Sequence, residues 1–429
     1  MVWVIVALLY SIASLGTKGH LPAHTGSFLA VLLGLTVGVH LANRWLVPYS
    51  NPVLLPLVVL LNGMGYVEIV RWNPVAAQQQ ATWACVGALL YVATLLVVQR
   101  TRDLDRYRYV LLLLAVVLML SPLFPVIGTS INGARLWVHL GSTLQFQPVE
   151  IAKILLAIFF ASYLADKKEL LSIPTVRVGQ RLVLDPRPMV PILLAWGFAL
   201  LVLGAENDIG FAMLIFTLFV TLLWVATGRW VYVFLGIVLF AVGAFVAAHF
   251  FSQVHERVDL WLNPWPQAQG RGQQLVQTWY SMGSGGVGGT GLGLGKSGAI
   301  PYLTTDMIYG AIAEEMGFMG SGILVIAFTL MVGAGFHIAQ RCRTDFSRLC
   351  ATALTLILGF QAFFIFAGVL RILPFTGITL PFVARGGSSL VANYVLIALL
   401  LRISNDAGPD WADDGVAEAE SATATLTNR

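Results

Sequence analysis

Charged residues are scarce in this chain. Only 11% of its 429 residues are Asp, Glu, Lys or Arg, whereas about 25% is usual in soluble domains. Hydrophobic residues make up 58%, and the mean hydropathy is +0.81. A soluble fold could not bury this much apolar surface, so lipid must be the solvent for most of the chain. The few Lys and Arg residues are spread over turns and form no nucleic-acid-binding face, so no nucleic acid partner is expected.

Cysteine and histidine are scarce as well. The three cysteines, Cys85, Cys342 and Cys350, have no paired spacing and are interpreted as free thiols. His255 is the only histidine in the segment 252–316 and has no partner at ligand spacing. The sequence therefore indicates neither a zinc site nor a Ser/His/Asp site.

A glycine-rich stretch lies between residues 283 and 295. Residues 283–288 fit the pattern GxGxxG, and 290–297 nearly fit a P-loop. Neither follows a buried strand, so both nucleotide-binding interpretations are rejected. Glycine is instead expected here to let the backbone lie close to a helix or a lipid head group.

Apolar runs of spanning or near-spanning length occur twelve times along the chain. They lie at roughly 2–16, 26–42, 53–70, 81–98, 109–128, 149–165, 190–205, 209–227, 231–251, 317–338, 349–370 and 388–402. We predict an all-α, polytopic membrane helical bundle of about twelve transmembrane helices. The first run could instead be a signal peptide, but it lacks a basic start, which favours a retained helix.

The distribution of Lys and Arg predicts the orientation of this bundle. Loops 99–108, 166–189 and 339–348 are basic, and twelve spans place all three on one side together with both termini. Basic loops face the cytoplasm. The long loop 252–316 then lies outside, and loops of that length are often functional. The acidic tail 404–429 is predicted to be disordered.

Glu150 and Lys153 are the first candidates for a polar site. They are three residues apart, so they share a face at the start of the helix that follows Pro148. They could form an ordinary ion pair at a helix end. Ionisable groups inside a span are functional by default, which favours a polar cavity open to the outer leaflet.

Further acids lie at the same predicted membrane face. Glu206 and Asp208 separate two spans with almost no loop, and Asp208 would also suit a helix N-cap. A helix that began at Asp306 would place Glu314 two turns further along the same side. Each acid could be a solvated cap residue or part of the site.

Several motifs in order resemble the RodA/FtsW/SpoVE family, the "shape, elongation, division and sporulation" proteins. The similar stretches are 132–137, 146–153, 206–210, 283–295, 305–317 and 376–389, the last reading TGITLPFVARGGSS. They extend through a ten-helix core, here 51–403. The first two helices, in residues 1–50, look like the N-terminal addition of actinobacterial RodA-like proteins.

The resemblance implies a peptidoglycan glycosyltransferase in the bacterial plasma membrane. Family members polymerise lipid II at the outer membrane face and usually work with a class B penicillin-binding protein, a transpeptidase. Such a transfer needs a base near the attacking hydroxyl and cations near the pyrophosphate. A divalent cation such as Mg or Mn could assist, or no cofactor at all.

The resemblance also implies roles for individual residues. The position of the family's catalytic Asp holds Gln267 in this chain. Catalytic roles are expected for Gln267, Glu150, Lys153, Asp208 and Asp306. Substrate-binding roles are expected for Arg135, Trp137, Gln147, Glu206, Glu314, Arg385 and Ser388, with Arg135, Lys153 and Arg385 as phosphate partners.

The departures from the family pattern leave more than one function open. An amide at position 267 cannot accept a proton as a base. Gln273 replaces a Tyr, and Ala384-Arg385 stand where Ser-Tyr is usual. The leading hypothesis is a lipid II polymerase serving cell shape, division or sporulation. The alternatives are a non-catalytic scaffold that binds lipid II or a penicillin-binding protein, and a lipid flippase or transporter.

Overall fold

The structure is a computed structural model. It describes residues 2–20, 25–124, 127–131, 134–140, 144–172, 176–178, 181–183, 190–206, 208–250 and 252–408. The described helices are α1 Val2–Lys18, α2 Thr25–Leu46, α3 Leu54–Trp72, α4 Pro74–Val97, α5 Thr101–Arg106, α6 Arg108–Leu120, α7 Val149–Ser172, α8 Val190–Ala205, α9 Ile209–Thr227, α10 Trp230–Phe250, α11 Ser252–Leu262, α12 Gln273–Gly285, α13 Ile308–Arg341, α14 Asp345–Val369 and α15 Gly387–Asp406.

Each of the twelve apolar runs of the sequence overlaps one of these helices, so the fold is a polytopic helical membrane bundle. By length and composition, seven of the described helices could each cross a membrane: α3, α4, α9, α10, α13, α14 and α15. α1 and α6 are shorter, and α7 carries Glu150 and Lys153 in its first two turns. The count of twelve spans therefore stays a prediction. The prediction of a disordered tail over 404–429 is wrong for 404–406, which end α15, and residues 409–429 lie outside the described residues.

Two small antiparallel sheets depart from the all-helical expectation. Strands β1 Gly128–Ile131, β2 Ala134–Leu140 and β3 Leu144–Phe146 form one sheet in the order β1-β2-β3. Strands β4 Val176–Val178 and β5 Arg181–Val183 form a hairpin between α7 and α8. The hydropathy pattern predicts neither sheet, because these strands are too short and too polar to give an apolar run.

The core of the bundle is formed by α14 and α15, which are enclosed by other helices. In the apolar windows of these two helices, 78% and 89% of the residues are buried, against 11% in α10. Helices that are apolar on every side belong in a core or in lipid. Burial thus distinguishes the central helices from α10, which lies at the periphery.

The basic loops meet at one end of the bundle, which we call the basic end. The backbone N–H and hydroxyl of Thr101 donate to Asp406 Oδ2 at 2.7 and 2.6 Å. Lys168, at the end of α7, pairs with Asp345 at the start of α14. Arg229 donates to the last residue of α7 at 2.7 Å. The segments predicted to share one membrane face therefore lie together.

The opposite end, the site end, carries the long segment between α10 and α13. Its glycine-rich stretch lies against the first turns of α13: the Gly291 N–H donates to the Glu315 carbonyl at 3.0 Å, and the Phe318 N–H donates to the Gly286 carbonyl at 2.9 Å. A Cβ at Gly289 would overlap the Glu315 carbonyl. Glycine is needed here because two backbones are in contact, so the close approach to a helix predicted from the sequence is confirmed.

Candidate functional site

Glu150 and Lys153 form an ion pair in the first two turns of α7. Lys153 also donates to Gln361 Oε1 of α14 at 3.0 Å, and its Nζ lies 5.5 Å from the centre of the Phe211 ring. Lys153 is 0% and Glu150 1% exposed. The prediction that this pair lines an open cavity is therefore wrong for this structure, in which both side chains are enclosed by helices.

Asp208 connects α8 to α9 and caps α9. Its Oδ1 accepts from the Phe211 N–H at 3.0 Å, which satisfies a backbone donor that has no partner inside the helix. Glu206, at the end of α8, is 1% exposed. Burial and, to a smaller extent, the nearby charge of Asp208 raise the pKa of Glu206 to about 8.

Arg257 of α11 joins the segments at the site end. Its Nη1 donates to the Thr376 carbonyl at 2.7 Å and to the Phe375 carbonyl at 3.3 Å, in the connection between α14 and α15. Asp208 and Asp306 both act electrostatically on its guanidinium and raise its pKa, while burial lowers it more. Arg257 is thus bonded to the α14–α15 connection, and its charge acts on acids before α9 and before α13.

Together these groups form a row of charges: Lys153, Glu150, Asp208, Arg257 and Asp306. Burial raises the pKa of Asp208 to about 6, Glu150 raises it too, and Arg257 opposes both. Burial likewise raises the pKa of Asp306 to about 7 against the effect of Arg257. Acids with a pKa near 7 can both accept and release a proton at physiological pH, as acid–base catalysis requires.

The structure separates Glu314 from Asp306, contrary to the predicted shared helix face. α13 begins only at Ile308, so Asp306 precedes the helix. Glu314 points to the glycine-rich stretch, where its carboxylate accepts from the Lys296 N–H at 2.8 Å and from the Ser297 hydroxyl. Arg71 of α3 pairs with the adjacent Glu315. The surroundings of Glu314 are those of a residue that anchors a loop.

The remaining predicted substrate-binding residues surround the row at the same end. The Gln147 N–H donates to Ser388 Oγ at 2.9 Å, which joins the start of α7 to the first turn of α15. The Arg135 N–H donates to the Glu206 carbonyl at 3.3 Å, and the Arg135 side chain is exposed. Arg385 donates to Gln79 of α4 at 2.8 Å.

Trp137 lies on β2 opposite Thr129 and is half-buried. The exposed Arg135 and the half-buried Arg385 are thus the predicted phosphate partners that a ligand could reach, whereas Lys153 is enclosed. A cation that stabilises a leaving pyrophosphate must be able to contact it.

Gln267 lies outside the row of charges. It ends a short 3-10 helix, Trp265–Gln267, and its side chain is exposed. Its carbonyl accepts from the N–H groups of Gly270 and Gly272, which closes a tight turn. The acids that precede it in sequence are already paired, Glu256 with Arg271 and Asp259 with His255.

A metal ion held by protein ligands alone requires several side chains that converge on one point. Within the described residues, no three Asp, Glu, His or Cys side chains converge to hold one. Lys153 is already paired with the Glu150 carboxylate, and the charge of Arg257 acts on Asp208 and Asp306. The described residues do not fit a metal centre made by protein ligands alone.

Two residues of the site, Arg257 and Gln361, are not predicted from the sequence. Arg257 is an arginine on the side that the charge distribution assigns to the outside, where Lys and Arg are less common. Gln361 is an amide within an otherwise apolar run. Both exceptions to the local pattern are visible signals, but only the fold shows that the two residues contact the row.

Comparison with known proteins agrees with the resemblance seen in the motifs. The model of the cell cycle protein family FtsW/RodA/SpoVE matches residues 46–408. The peptidoglycan glycosyltransferase RodA of Mycobacterium bovis is 37% identical over 392 residues, which covers 89% of this chain and 83% of that protein. The probable peptidoglycan glycosyltransferase FtsW of a Geobacter species is 32% identical over 291 residues, covering 67% and 76%.

Solved structures show the same similarity. A chain of a peptidoglycan synthase complex that coordinates polymerization and crosslinking has a TM-score of 0.69 and 27% identity, covering 83% of this chain and 98% of that one. The rod shape determining protein RodA of Thermus thermophilus has a TM-score of 0.60 and 26% identity, covering 83% and 97%. With most of its length matched by the family model, this chain belongs to the FtsW/RodA/SpoVE family of cell cycle proteins.

Proposed function

We propose that this protein is a peptidoglycan glycosyltransferase that polymerises lipid II. The observation that carries the proposal is the row of charges at the site end, opposite the basic loops; Lys153, Glu150 and Asp208 are buried, and Arg257 and Asp306 are half-buried. The relatives that share its sequence are peptidoglycan glycosyltransferases, and a structural neighbour belongs to a peptidoglycan synthase complex. The site end faces outward from the plasma membrane, because the basic end faces the cytoplasm.

Asp306 is the base in this proposal. Its carboxylate takes the proton from the 4-hydroxyl of the acceptor sugar, and that oxygen forms a bond to the anomeric carbon of the donor. The bond from the anomeric carbon to the pyrophosphate oxygen breaks, and undecaprenyl pyrophosphate leaves with the electron pair. Arg257 acts on Asp306 through its nearby positive charge, and Arg135 and Arg385 offer positive charge to the leaving group.

Polymerisation of fluorescent lipid II by the purified chain in nanodiscs tests the role of Asp306. Asp306→Asn should lower the rate by a factor of ~10²–10⁴, the usual effect of losing a general base. Glu256→Gln is the matched control, because Glu256 is an acid of the same outer segment that is paired with Arg271; it should stay within about twofold of wild type. Full activity of Asp306→Asn would assign the base to another residue.

A scaffold that binds a class B penicillin-binding protein is the second candidate function, and the exposed amide of Gln267 favours it. The same assay, with and without the transpeptidase, separates the two. Because Gln267 lies at the surface, Gln267→Ala should leave the rate of an active enzyme within about twofold. No polymerisation by wild type in either condition, with lipid II binding retained, would favour the scaffold.

The flippase hypothesis has less support from the site. Glu150, Asp208 and Asp306 lie at or just before helix starts, and Arg257 lies on the short helix α11 of the outer segment, whereas substrate sites of transporters lie near the middle of the membrane. A divalent cation stays a prediction. Mg²⁺ is often held by one or two carboxylates together with substrate phosphates, so chelation by EDTA would abolish polymerisation only if the pyrophosphate supplies ligands.

A further inference from the structure

A cavity lies where the first two helices pack against the rest of the bundle. α1 packs against α3 through Tyr10, Ala13 and Val67, and α2 packs against α4. A cavity of about 470 Å³ lies between these four helices, open on one side. Its lining residues come from all four helices and include Lys18 of α1, Val31 of α2, Val67 and Arg71 of α3, and Gln78 and Ala81 of α4.

The cavity has one polar end and one apolar end. Lys18 and Arg71 lie at the site end, where Thr17 contacts the Gly293 carbonyl and Arg71 donates to the Gly295 carbonyl at 2.7 Å. From Lys18 the lining follows α1 for eight residues to Tyr10, which is about 12 Å at the helical rise. The deeper part is formed by apolar residues of membrane-spanning helices, including Val67 and Ala81.

The deeper, apolar part of the lining offers few polar groups to bind ordered water. A cavity of this size is also about three times larger than engineered apolar cavities of roughly 150 Å³ that stay dry. Because the cavity is only partly enclosed and lies among membrane-spanning helices, a lipid chain can enter it from the bilayer. The shape and the polarity together favour a molecule with an apolar chain and a polar head.

The charge of the lining selects the head group. The described lining residues include Lys18 and Arg71 but no Asp or Glu. Arg71 already forms an ion pair with Glu315, whereas Lys18 is exposed and forms no ion pair with any described residue. Ser14 and Gln78 provide further polar groups beside it. Positive charge and hydrogen-bond donors at one end suit a phosphate group.

We infer that the gap between α1, α2, α3 and α4 binds an anionic phospholipid, with one acyl chain between the helices and the phosphate at Lys18. The site lies outside the row of charges and uses none of its residues. It is therefore independent of the proposed glycosyltransferase activity. The lipid fills the space that α1 and α2 leave open and connects them to the core.

Native mass spectrometry of the full chain, with phosphatidylglycerol and phosphatidylcholine as probes, tests this site. Wild type should retain phosphatidylglycerol about fivefold more than phosphatidylcholine, the effect of one lysine near an anionic head group. Lys18→Gln should remove that preference. Ala81→Trp should fill the gap and lower the occupancy of both lipids at least about fivefold, since a bulky side chain takes the space of the chain.

Two matched controls separate the site from general effects of substitution. Leu89→Trp places the same side chain on the same helix at a position that is 71% exposed, and Lys167→Gln removes a lysine at the basic end. Both should retain lipid as wild type does. Lys18 is exposed, so its variant does not depend on repacking.

Equal retention of both lipids by wild type, or unchanged retention by Ala81→Trp, overturns the proposal. Displacement of phosphatidylglycerol by undecaprenyl phosphate would assign the gap to a polyprenyl lipid instead.

Discussion

The pH dependence of the activity should follow the protonation of Asp306, the proposed base, which lies near Arg257. A base acts only when deprotonated, and burial raises the pKa of Asp306 to about 7. The deprotonated fraction, and with it the polymerisation rate, should therefore rise about tenfold between pH 6 and pH 8. Arg257 lowers the pKa of Asp306, so Arg257→Gln should shift the midpoint of the profile to higher pH.

The control for this pH profile is Arg271→Gln. Arg271 is an exposed arginine of the same outer segment, paired with Glu256, and its loss should leave the midpoint unchanged. Arg257→Lys keeps the charge and should restore most of the wild-type midpoint. A profile that is flat from pH 6 to 8 in wild type, or that moves to lower pH in Arg257→Gln, would contradict the role of this pair.

Asp208 combines a structural role with an electrostatic one, and two substitutions separate them. Asparagine is as good an N-cap as aspartate, so Asp208→Asn should keep the bond to the Phe211 N–H and the thermal stability. Asp208→Ala should lose about 1 kcal/mol of stability with the cap. Both remove the charge beside Arg257 and should lower polymerisation equally. If only Asp208→Ala lost activity, Asp208 would serve the helix alone.

The helices that carry the site could be predicted, but their contacts could not. Glu150, Lys153 and Asp208 follow from local spacing at helix starts, and the pair and the cap that this spacing predicts are both formed. Arg257 and Asp306 are almost fifty residues apart, and no periodic pattern relates them. Local sequence patterns indicate which residues share one face of a helix, whereas the row of charges depends on how five segments pack together.

The sheet before α7 shows a second limit of the sequence patterns. β1 and β2 are separated by Asn132-Gly133, a strong signal for a hairpin. The strands carry no long apolar run, so a hydropathy argument treats them as a loop. The start of α13 is a similar case. It could not be assigned from charge spacing, because the residues before Ile308 form turns.

Gly317 allows α13 to kink where the glycine-rich stretch contacts it. Its φ of 64° and ψ of −164° are open almost only to glycine, and a Cβ would overlap the Gly289 nitrogen. Gly317→Ala should lower the free energy of unfolding by at least about 2 kcal/mol. Gly322→Ala lies on the same helix with open space around it and should be neutral or slightly stabilising. Thermal unfolding in detergent compares the two; equal stability would mean that the kink is not required.

The complete bundle has two chemically different ends. The basic end holds the loops and termini that positive charge assigns to the cytoplasm, and the site end holds the row of charges and the long segment before α13. Lipid II polymerisation outside the cell requires that these ends face opposite sides of the membrane. The orientation of the whole molecule is therefore part of the functional proposal.

Cysteine labelling in intact cells tests this orientation. Cys85 and Cys342 are first replaced by alanine, and the buried Cys350 is kept. Tyr302→Cys places a thiol at the site end, at a position that is 59% exposed, and Arg343→Cys places one in an exposed loop of the basic end. A membrane-impermeant maleimide should label residue 302 in intact cells and residue 343 only after lysis. Labelling of 343 from outside would place the basic end outside the cell, and the charged row could then not meet an extracytoplasmic substrate.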